Sequence, residues 1–279
     1  MTEDMLEAWR ESARYWTKHS DTIHKMFVPL TRALIERAGI HKGQTVLDVA
    51  GGAGEPSLTI AEVVGPEGSV TYTDGVAQMV EAARAEAQRR GITNVQFHQT
   101  AAESLPFAES SFDVVVSRLG VMLFRDPDTA VREMLRVLKP GGTLAFAVWG
   151  KSEINPFCHL VTRVMEEHVK SPVADPDAPN AFRFAEPGKL TRVMTEAGAI
   201  DVEEGVVSFD LEAPISPHQF WTLRSQTSDT LRQKLTKLSA DEQAEIAVEI
   251  EQAVEEFFPA NQMKFPAQFV IATGKRAGS

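Results

Sequence analysis

The sequence predicts an α/β fold built around a doubly wound sheet. Residues 46–54, Val-Leu-Asp-Val-Ala-Gly-Gly-Ala-Gly, have the pattern of a buried strand that runs into a glycine turn. A second strand pattern, Ser69–Thr73, follows and ends at Asp74. Strand and helix patterns alternate through this region as far as Trp149, an order typical of α/β proteins.

Each element of this central region has its own sequence signal. The strands are rich in β-branched and apolar residues, and glycines or turn residues separate them from the helices. The predicted order is strand 45–49, helix 55–64, strand 69–73, helix 76–90, strand 95–98, strand 111–117, helix 129–138, a turn at 138–142 and strand 144–149.

Helices are predicted on both sides of this region. Asp4–His19 has a helical stripe of apolar residues, Met5, Leu6, Trp9, Ala13 and Trp16. The pair Ser20-Asp21 is expected to cap a second helix, and Pro29 to start or kink a further helix that ends at Gly39. After Trp149 we predict a helix at 155–169, a loop at 171–180, a helix from Glu186-Pro187 to Gly198, a strand at 200–211, helices within 216–258 and a last strand at 267–273.

These elements suggest three sections. Residues 1–39 form an N-terminal helical lead, and residues 40–150 form the ligand-binding core. Residues 151–279 add helices that cover the substrate and supply the last two strands of the core.

The glycine turn indicates which ligand the core binds. Gly52 and Gly54 allow close approach of the backbone, but Ser57 stands where a dinucleotide-binding turn has its third glycine. Glu55 and Asp48 place carboxylates near the turn, which disfavours a pyrophosphate and favours a cation. S-adenosylmethionine carries both an ammonium and a sulfonium group.

Two further segments complete a recognisable pattern. Ala102-Glu103-Ser104-Leu105-Pro106-Phe107 follows the third strand, and Leu138-Lys139-Pro140-Gly141-Gly142 precedes the fifth. Over about residues 30–150 the chain resembles the class I S-adenosylmethionine-dependent methyltransferases, especially the small-molecule branch with the ubiquinone and menaquinone methyltransferases. The resemblance implies a Rossmann-like sheet of seven strands with the last strand antiparallel, and methyl transfer to O, N, S or C of a small molecule.

The resemblance also implies the cofactor site. Gly52 and Gly54 would lie under the methionine part, Asp48 would reach its amino group, Asp74 would bind the ribose and Met79 would lie near the adenine. The complete expected set is Asp48, Ala50, Gly51, Gly52, Gly54, Asp74, Gly75, Met79, Ala101, Ala102, Glu103 and Ser117. Members of the family often have Asp where this chain has Ala101, so the adenine contact there must come from another group.

Three residues are candidates for the chemistry. Methyl transfer mainly requires positioning and exclusion of water, and a base is needed only for hydroxyl or carbon acids. His19 lies beside Trp16 in the helical lead, and His159 follows Phe157 and Cys158, which are expected to face the methyl group. Arg118, at the end of the fourth strand, is expected to anchor an anionic or carbonyl-bearing acceptor.

Composition excludes several other functions. The net charge is −11, and the sequence has no large Lys/Arg cluster, so a nucleic-acid partner is not expected. The single cysteine, Cys158, excludes an internal disulfide and a Cys-rich metal site, and no metal is expected. Since no transmembrane or signal pattern occurs, we expect a cytoplasmic protein without a membrane span. The sequence does not determine whether the protein is a monomer or a homo-oligomer.

Two alternatives share part of this pattern. A nicotinamide-dependent oxidoreductase would have the same strand, turn and ribose carboxylate, although the third glycine is missing. A protein that binds S-adenosylmethionine without transferring its methyl group would have the same cofactor site.

Overall fold

The computed structural model describes residues 3–170, 175 and 177–278. Residues 171–174 and 176, which belong to the predicted loop 171–180, lie outside the described residues, as do the side chains of Met5 and Leu6. Within the described part of the chain, no helix combines the length and the apolar character that crossing a membrane requires.

Seven strands form one sheet, as predicted. Their bounds are β1 (Thr45–Val49), β2 (Ser69–Asp74), β3 (Val95–Gln99), β4 (Phe112–Arg118), β5 (Leu138–Trp149), β6 (Ala199–Ala213) and β7 (Met263–Arg276). Their order across the sheet is β3-β2-β1-β4-β5-β7-β6. Strand β7 runs antiparallel to both of its neighbours, and the pairings among β1 to β5 are parallel. The prediction of a doubly wound α/β sheet whose last strand is antiparallel is therefore confirmed.

The helices lie between and after the strands. Their bounds are α1 (Glu3–Lys18), α2 (Ser20–Ala38), α3 (Ser57–Val64), α4 (Ala77–Arg90), α5 (Pro127–Val137), α6 (Pro156–His168), α7 (Lys189–Glu196), α8 (Pro217–Thr227), α9 (Asp229–Leu235) and α10 (Ala240–Ala253). Helices α6, α8 and α10 pack together, and α1 contacts α4 and α8. Ser216 caps α8 through a reciprocal capping box with Gln219, which explains why the helix begins at Pro217.

The strand order creates a switch point between β1 and β4. The chain leaves β1 toward β2 on one side of the sheet, and β4 returns on the other side of β1. The loops after β1 and β4 therefore diverge and leave a crevice at the carboxyl ends of these strands. The core of the sheet is apolar, and Val46, Leu47, Val115 and Val116 are fully buried.

The start of the helical region differs from the prediction. Ser20 is the first residue of α2, and His19 occupies the N-cap position without a side-chain hydrogen bond to the helix. The prediction that Ser20-Asp21 caps this helix was therefore wrong. Pro29 lies inside one continuous helix instead of starting another. The buried face of this helix, which includes Phe27 and Leu30, packs on the sheet and offsets the hydrogen bond that proline cannot donate.

Two other boundaries differ. The predicted turn at 138–142 lies within the bounds of β5, as an irregular stretch. Leu138 pairs with Phe112 of β4, the next paired residues are Thr143 and Val114, and Gly141 between them adopts φ +75°. The helix expected from Glu186-Pro187 begins only at Lys189, after Gly188 with φ +77°.

Candidate functional site

A cavity of about 560 Å³ lies at the carboxyl ends of β1 and β4. The glycine turn, the end of β2, the segment after β3 and the turn after β4 all contribute to its lining, and α1 and α2 cover it. Of the residues predicted for the site, ten line this cavity: Ala50, Gly51, Gly52, Asp74, Gly75, Met79, Ala101, Ala102, Glu103 and Arg118.

The glycine turn is a tight cradle. Gly52 has φ +56° and open space above its Cα, and Ala50 adopts φ +62°, which is unusual for a residue with a side chain. A Cβ on Gly51 would lie 2.6 Å from the Tyr72 ring and 2.8 Å from Oδ2 of Asp48. The turn therefore presents its backbone to the cavity, and a side chain at Gly51 would disrupt the layer beneath it.

Asp74 connects the end of β2 to this turn. Its Oδ2 accepts a hydrogen bond from Gly52 N at 3.0 Å, and its Oδ1 accepts one from Val76 N at 2.9 Å. Burial raises the pKa of Asp74 to about 6, although the backbone hydrogen bonds from Val76 and Gly52 oppose this shift. Each oxygen keeps a lone pair for a ligand hydroxyl in the cavity.

Asp48 lies under the turn and does not line the cavity. It is fully buried, its Oδ2 accepts the Ser57 hydroxyl at 2.6 Å, and its Oδ1 has no hydrogen-bond partner in the described part of the chain. Burial raises the pKa of Asp48 to about 7. Ser57, which stands where a dinucleotide-binding turn has its third glycine, thus holds the carboxyl group of Asp48 in place.

One end of the cavity is apolar and aromatic. Met79 and Val76 are buried and pack against Trp9 and Trp16 from α1, whose rings lie 6.0 Å apart. The Trp16 indole donates to the carbonyl of Thr227 at 3.3 Å, which ties α1 to α8. This end offers flat apolar and aromatic surfaces, and Ala101, Ala102 and Glu103 also line the cavity.

Arg118 lies at the other end. Its Nη1 donates to Thr31 Oγ1 at 2.6 Å and its Nη2 donates to the carbonyl of Glu55 at 3.1 Å. The guanidinium group stacks over Phe27 with 5.6 Å to the ring centroid. Its Nε is buried without a partner in the described residues, and burial lowers the pKa of Arg118.

Glu55 is surrounded by cationic and hydroxyl groups. Its carboxylate accepts from Arg90 at 2.5 Å and from Thr59 at 2.7 Å, and it lies 3.1 Å from His24 Nδ1. Burial raises its pKa, but the contacts with His24 and Thr59 and the positive charges of Arg118 and Arg90 together outweigh that effect and lower the pKa of Glu55 to about 2. The sequence argument treated Glu55 as a free negative charge, whereas its partners neutralise much of its field.

The sequence analysis missed His24. This residue lines the cavity from α2, and its side chain is 38% exposed. His24, Phe27 and Thr31 share one face of α2, and both Phe27 and Thr31 contact Arg118. Helical spacing places His24 on the same face as Phe27, but it does not show that this face meets the cavity, so the sequence carried no sufficient signal.

The other expected residues lie elsewhere. His19 bonds to Gln226 Oε1 at 2.8 Å, and His159 lies on α6; neither lines the cavity. Phe157 and Cys158 are buried in the main core, away from the cavity lining. Gly54 packs toward Leu58 and Ala83 of the neighbouring helices, and Ser117 is buried with no partner for its Oγ in the described part of the chain.

This strand order and the cavity beside a glycine turn define the class of α/β proteins with the methyltransferase fold. The chain belongs to the ubiE/COQ5 methyltransferase family, whose model matches residues 20–165. A ubiquinone/menaquinone biosynthesis C-methyltransferase of Haemophilus ducreyi is 38% identical over 139 residues, which cover 50% of this chain and 52% of that protein. The chain thus spans about half the length of the curated relatives it matches.

Solved structures share the fold beyond the matched region. Phosphoethanolamine N-methyltransferase 2 of Haemonchus contortus, in complex with S-adenosyl-L-methionine, has a TM-score of 0.56 at 16% identity and covers 94% of this chain and 57% of its own. The [4+2]-cyclase SpnF has a TM-score of 0.54 at 22% identity and covers 90% of this chain and 81% of its own. At these identities the likeness concerns the fold alone.

Proposed function

We propose that this protein is an S-adenosylmethionine-dependent methyltransferase that acts on a small-molecule acceptor. The observation that carries the proposal is one continuous cavity with two different ends. A carboxylate and flat apolar surfaces suited to an adenosine lie at one end, and a guanidinium group beside aromatic walls lies at the other. Cofactor and acceptor would then meet over the glycine turn, where the sulfonium group would supply the activated methyl.

The residues of the turn fit this cofactor. Asp74 has lone pairs for ribose hydroxyls, and the carboxyl group of Asp48, buried beneath Gly51, favours a cation such as the ammonium group of a methionine tail in the turn above it. Met79 and Trp16 would enclose the adenine. A pyrophosphate fits less well, because two buried carboxyl groups would lie below its negative charges.

The opposite end supports an acceptor with an apolar body and one polar group. Phe27, Leu123 and Phe124 provide apolar surface, and Arg118 provides N–H donors among them. An oxygen or carboxylate on the acceptor would bond to this guanidinium group and fix the orientation of the ring. Methylation would then depend on positioning the acceptor in line with the sulfonium, with water excluded by α1 and α2.

A second candidate is binding of S-adenosylmethionine without methyl transfer. The shared fold of a [4+2]-cyclase shows that this architecture also occurs in proteins named for other chemistry. The two candidates differ in one product, S-adenosylhomocysteine, which forms only when the methyl group leaves.

Calorimetry and product analysis test the proposal. S-adenosylmethionine and S-adenosylhomocysteine are expected to bind at one site per chain, whereas NAD and NADH are not. Incubation with methyl-labelled S-adenosylmethionine and a small-metabolite extract is then expected to give a labelled product and S-adenosylhomocysteine. Binding of NAD in preference to either nucleoside would contradict the cofactor, and binding without any transfer would favour the second candidate.

A further inference from the structure

A buried carboxyl group lies directly under the glycine turn. We propose that Asp48 releases its proton when a cationic ligand binds over the turn and keeps it when the ligand is neutral, so that the turn distinguishes S-adenosylmethionine from S-adenosylhomocysteine. The inference rests on the proposed function, because it concerns the same two ligands, and it adds the residue that separates cofactor from product.

The position of Asp48 carries the first step. Asp48 is fully buried near the end of β1, and Gly51 lines the cavity above it. A Cβ on Gly51 would lie 2.8 Å from Asp48 Oδ2, so the carboxyl group packs directly against this glycine. One van der Waals contact from Asp48 to Gly51 and a second from Gly51 to the ligand would place a ligand charge about 7 Å from the carboxyl group.

The negative form of Asp48 has little support inside the protein. Its Oδ2 accepts the Ser57 hydroxyl at 2.6 Å, and its Oδ1 is buried without a hydrogen-bond partner in the described residues. Burial raises the pKa of Asp48 to about 7, although the Ser57 hydrogen bond and the charge of Arg118 oppose this shift. Both forms are therefore populated near neutral pH, and an added charge can change their ratio.

The other ionisable groups around Asp48 come from three neighbouring segments. Arg118 of β4 favours the negative form, whereas Glu55 in the turn disfavours it. Tyr72 of β2 stays protonated, because burial and the charges of Asp74 and Asp48 raise its pKa well above its usual value. Asp74, with a pKa of about 6, titrates in the same range as Asp48 and must be separated from it by the choice of ligands.

The two nucleosides make that separation. Both carry the same adenosine and the same methionine tail, and they differ in the charge on sulfur, a sulfonium in the cofactor and a neutral thioether in the product. A unit charge about 7 Å away, at an effective dielectric constant of about 20, lowers the pKa of a carboxyl group by between about one and two units. The O–H bond of Asp48 breaks, its electron pair stays on the carboxylate, and the proton passes to the buffer.

Calorimetry tests the inference without turnover. The affinities for S-adenosylmethionine and S-adenosylhomocysteine are measured from pH 5 to pH 7.5, and their ratio is expected to rise by roughly 5- to 40-fold in favour of the cofactor. Any effect of Asp74 on the shared ribose cancels in this ratio. Repeating the titrations near pH 6.3 in buffers of different ionisation enthalpy counts protons, and the cofactor is expected to release about 0.5–0.8 of a proton more than the product does.

Three variants locate the effect. Asp48→Asn cannot ionise at this position, so its affinity ratio is expected to be independent of pH. Ser57→Ala keeps the carboxyl group but removes the hydroxyl that lowers its pKa, so the rise in the ratio is expected to move to higher pH. Asp113→Asn, which changes a carboxyl group that does not line the cavity or bond to the turn, is expected to behave as wild type does.

The outcomes separate the inference from the proposed function. Failure of the wild-type protein to bind either nucleoside would contradict the proposed function. If both bind, each of three results overturns the inference alone: the affinity ratio does not change with pH, Asp48→Asn keeps the dependence of wild type, or Ser57→Ala leaves its midpoint in place.

Discussion

Asp74→Asn separates a role in binding from a role in folding. We expect this change to weaken binding of S-adenosylhomocysteine because it removes the charge from the acceptor of the ribose hydroxyls. Hydrogen bonds to charged groups contribute about 1.5–3 kcal/mol, which corresponds to roughly 10- to 150-fold in affinity. The change is measured by calorimetry at pH 8, where the wild-type carboxyl group, with a pKa of about 6, is ionised.

Folding should change much less, because two effects of the Asp74→Asn substitution oppose each other. The amide removes a buried charge whose raised pKa costs about 3 kcal/mol at pH 8. Asp74 accepts hydrogen bonds from the backbone N–H groups of Gly52 and Val76, and the NH2 group of an asparagine would face one of these donors. That unfavourable contact costs about 1–3 kcal/mol. The free energy of unfolding is therefore expected to stay within about 2 kcal/mol of wild type.

Asp113→Asn is the matched control for this experiment. Asp113 also accepts a backbone N–H, from Thr45 at 2.9 Å, but it does not line the cofactor cavity. Its replacement is expected to leave the affinity for S-adenosylhomocysteine unchanged. A folded Asp74→Asn protein that binds the nucleoside as tightly as wild type would refute the assignment of the ribose site.

Two further predictions concern the layer under the glycine turn. Asp48 has a raised pKa of about 7, so its contribution to stability is present below pH 4 and is lost as the pH rises to 7. The free energy of unfolding of Asp48→Asn is therefore expected to exceed that of wild type by up to about 4 kcal/mol at pH 8 and to equal it near pH 4. Urea unfolding in which the two proteins differ equally at both pH values would contradict this. Gly51→Ala would place a methyl group 2.6 Å from the Tyr72 ring, and thermal unfolding is expected to show a protein that is less stable by about 1–3 kcal/mol. Gly43→Ala is the control: no atom lies within 4 Å of its Cβ, so only the backbone strain of φ +83°, about 1 kcal/mol, is expected.

Local signals were sufficient to predict most of the fold. The strand at 45–49 was predicted to its ends, because the run is apolar, β-rich and followed by glycines. The β5 strand was predicted to start too late, since Pro140 and Gly141 have the chemistry of a turn. Leu138 pairs with Phe112 of β4, and regular pairing with β4 and β7 resumes at Thr143; these long-range contacts on either side of the segment have no local signal.

The cavity lining near the glycine turn was easier to predict than the lining near Arg118. Asp74 and Gly52 lie at strand ends, where topology alone brings residues together. The relevance of His24 depends on how α2 crosses the sheet, and spacing within one helix does not determine that packing. Arg90 donates a hydrogen bond to Glu55 across 35 positions of the sequence, and local patterns could not predict this contact either.

The family match divides the cavity into two parts. Residues 20–165 include the glycine turn, Asp74, Arg118 and His24, so the polar groups that line the cavity from β1, β2, β4 and α2 lie inside the matched segment. Trp9 and Trp16, which pack on Met79, lie outside it, and the Trp16 indole donates a hydrogen bond to Thr227 of α8, which also lies outside. The matched segment therefore supplies the glycine turn and its carboxyl groups, whereas residues outside the match close the Met79 end of the cavity.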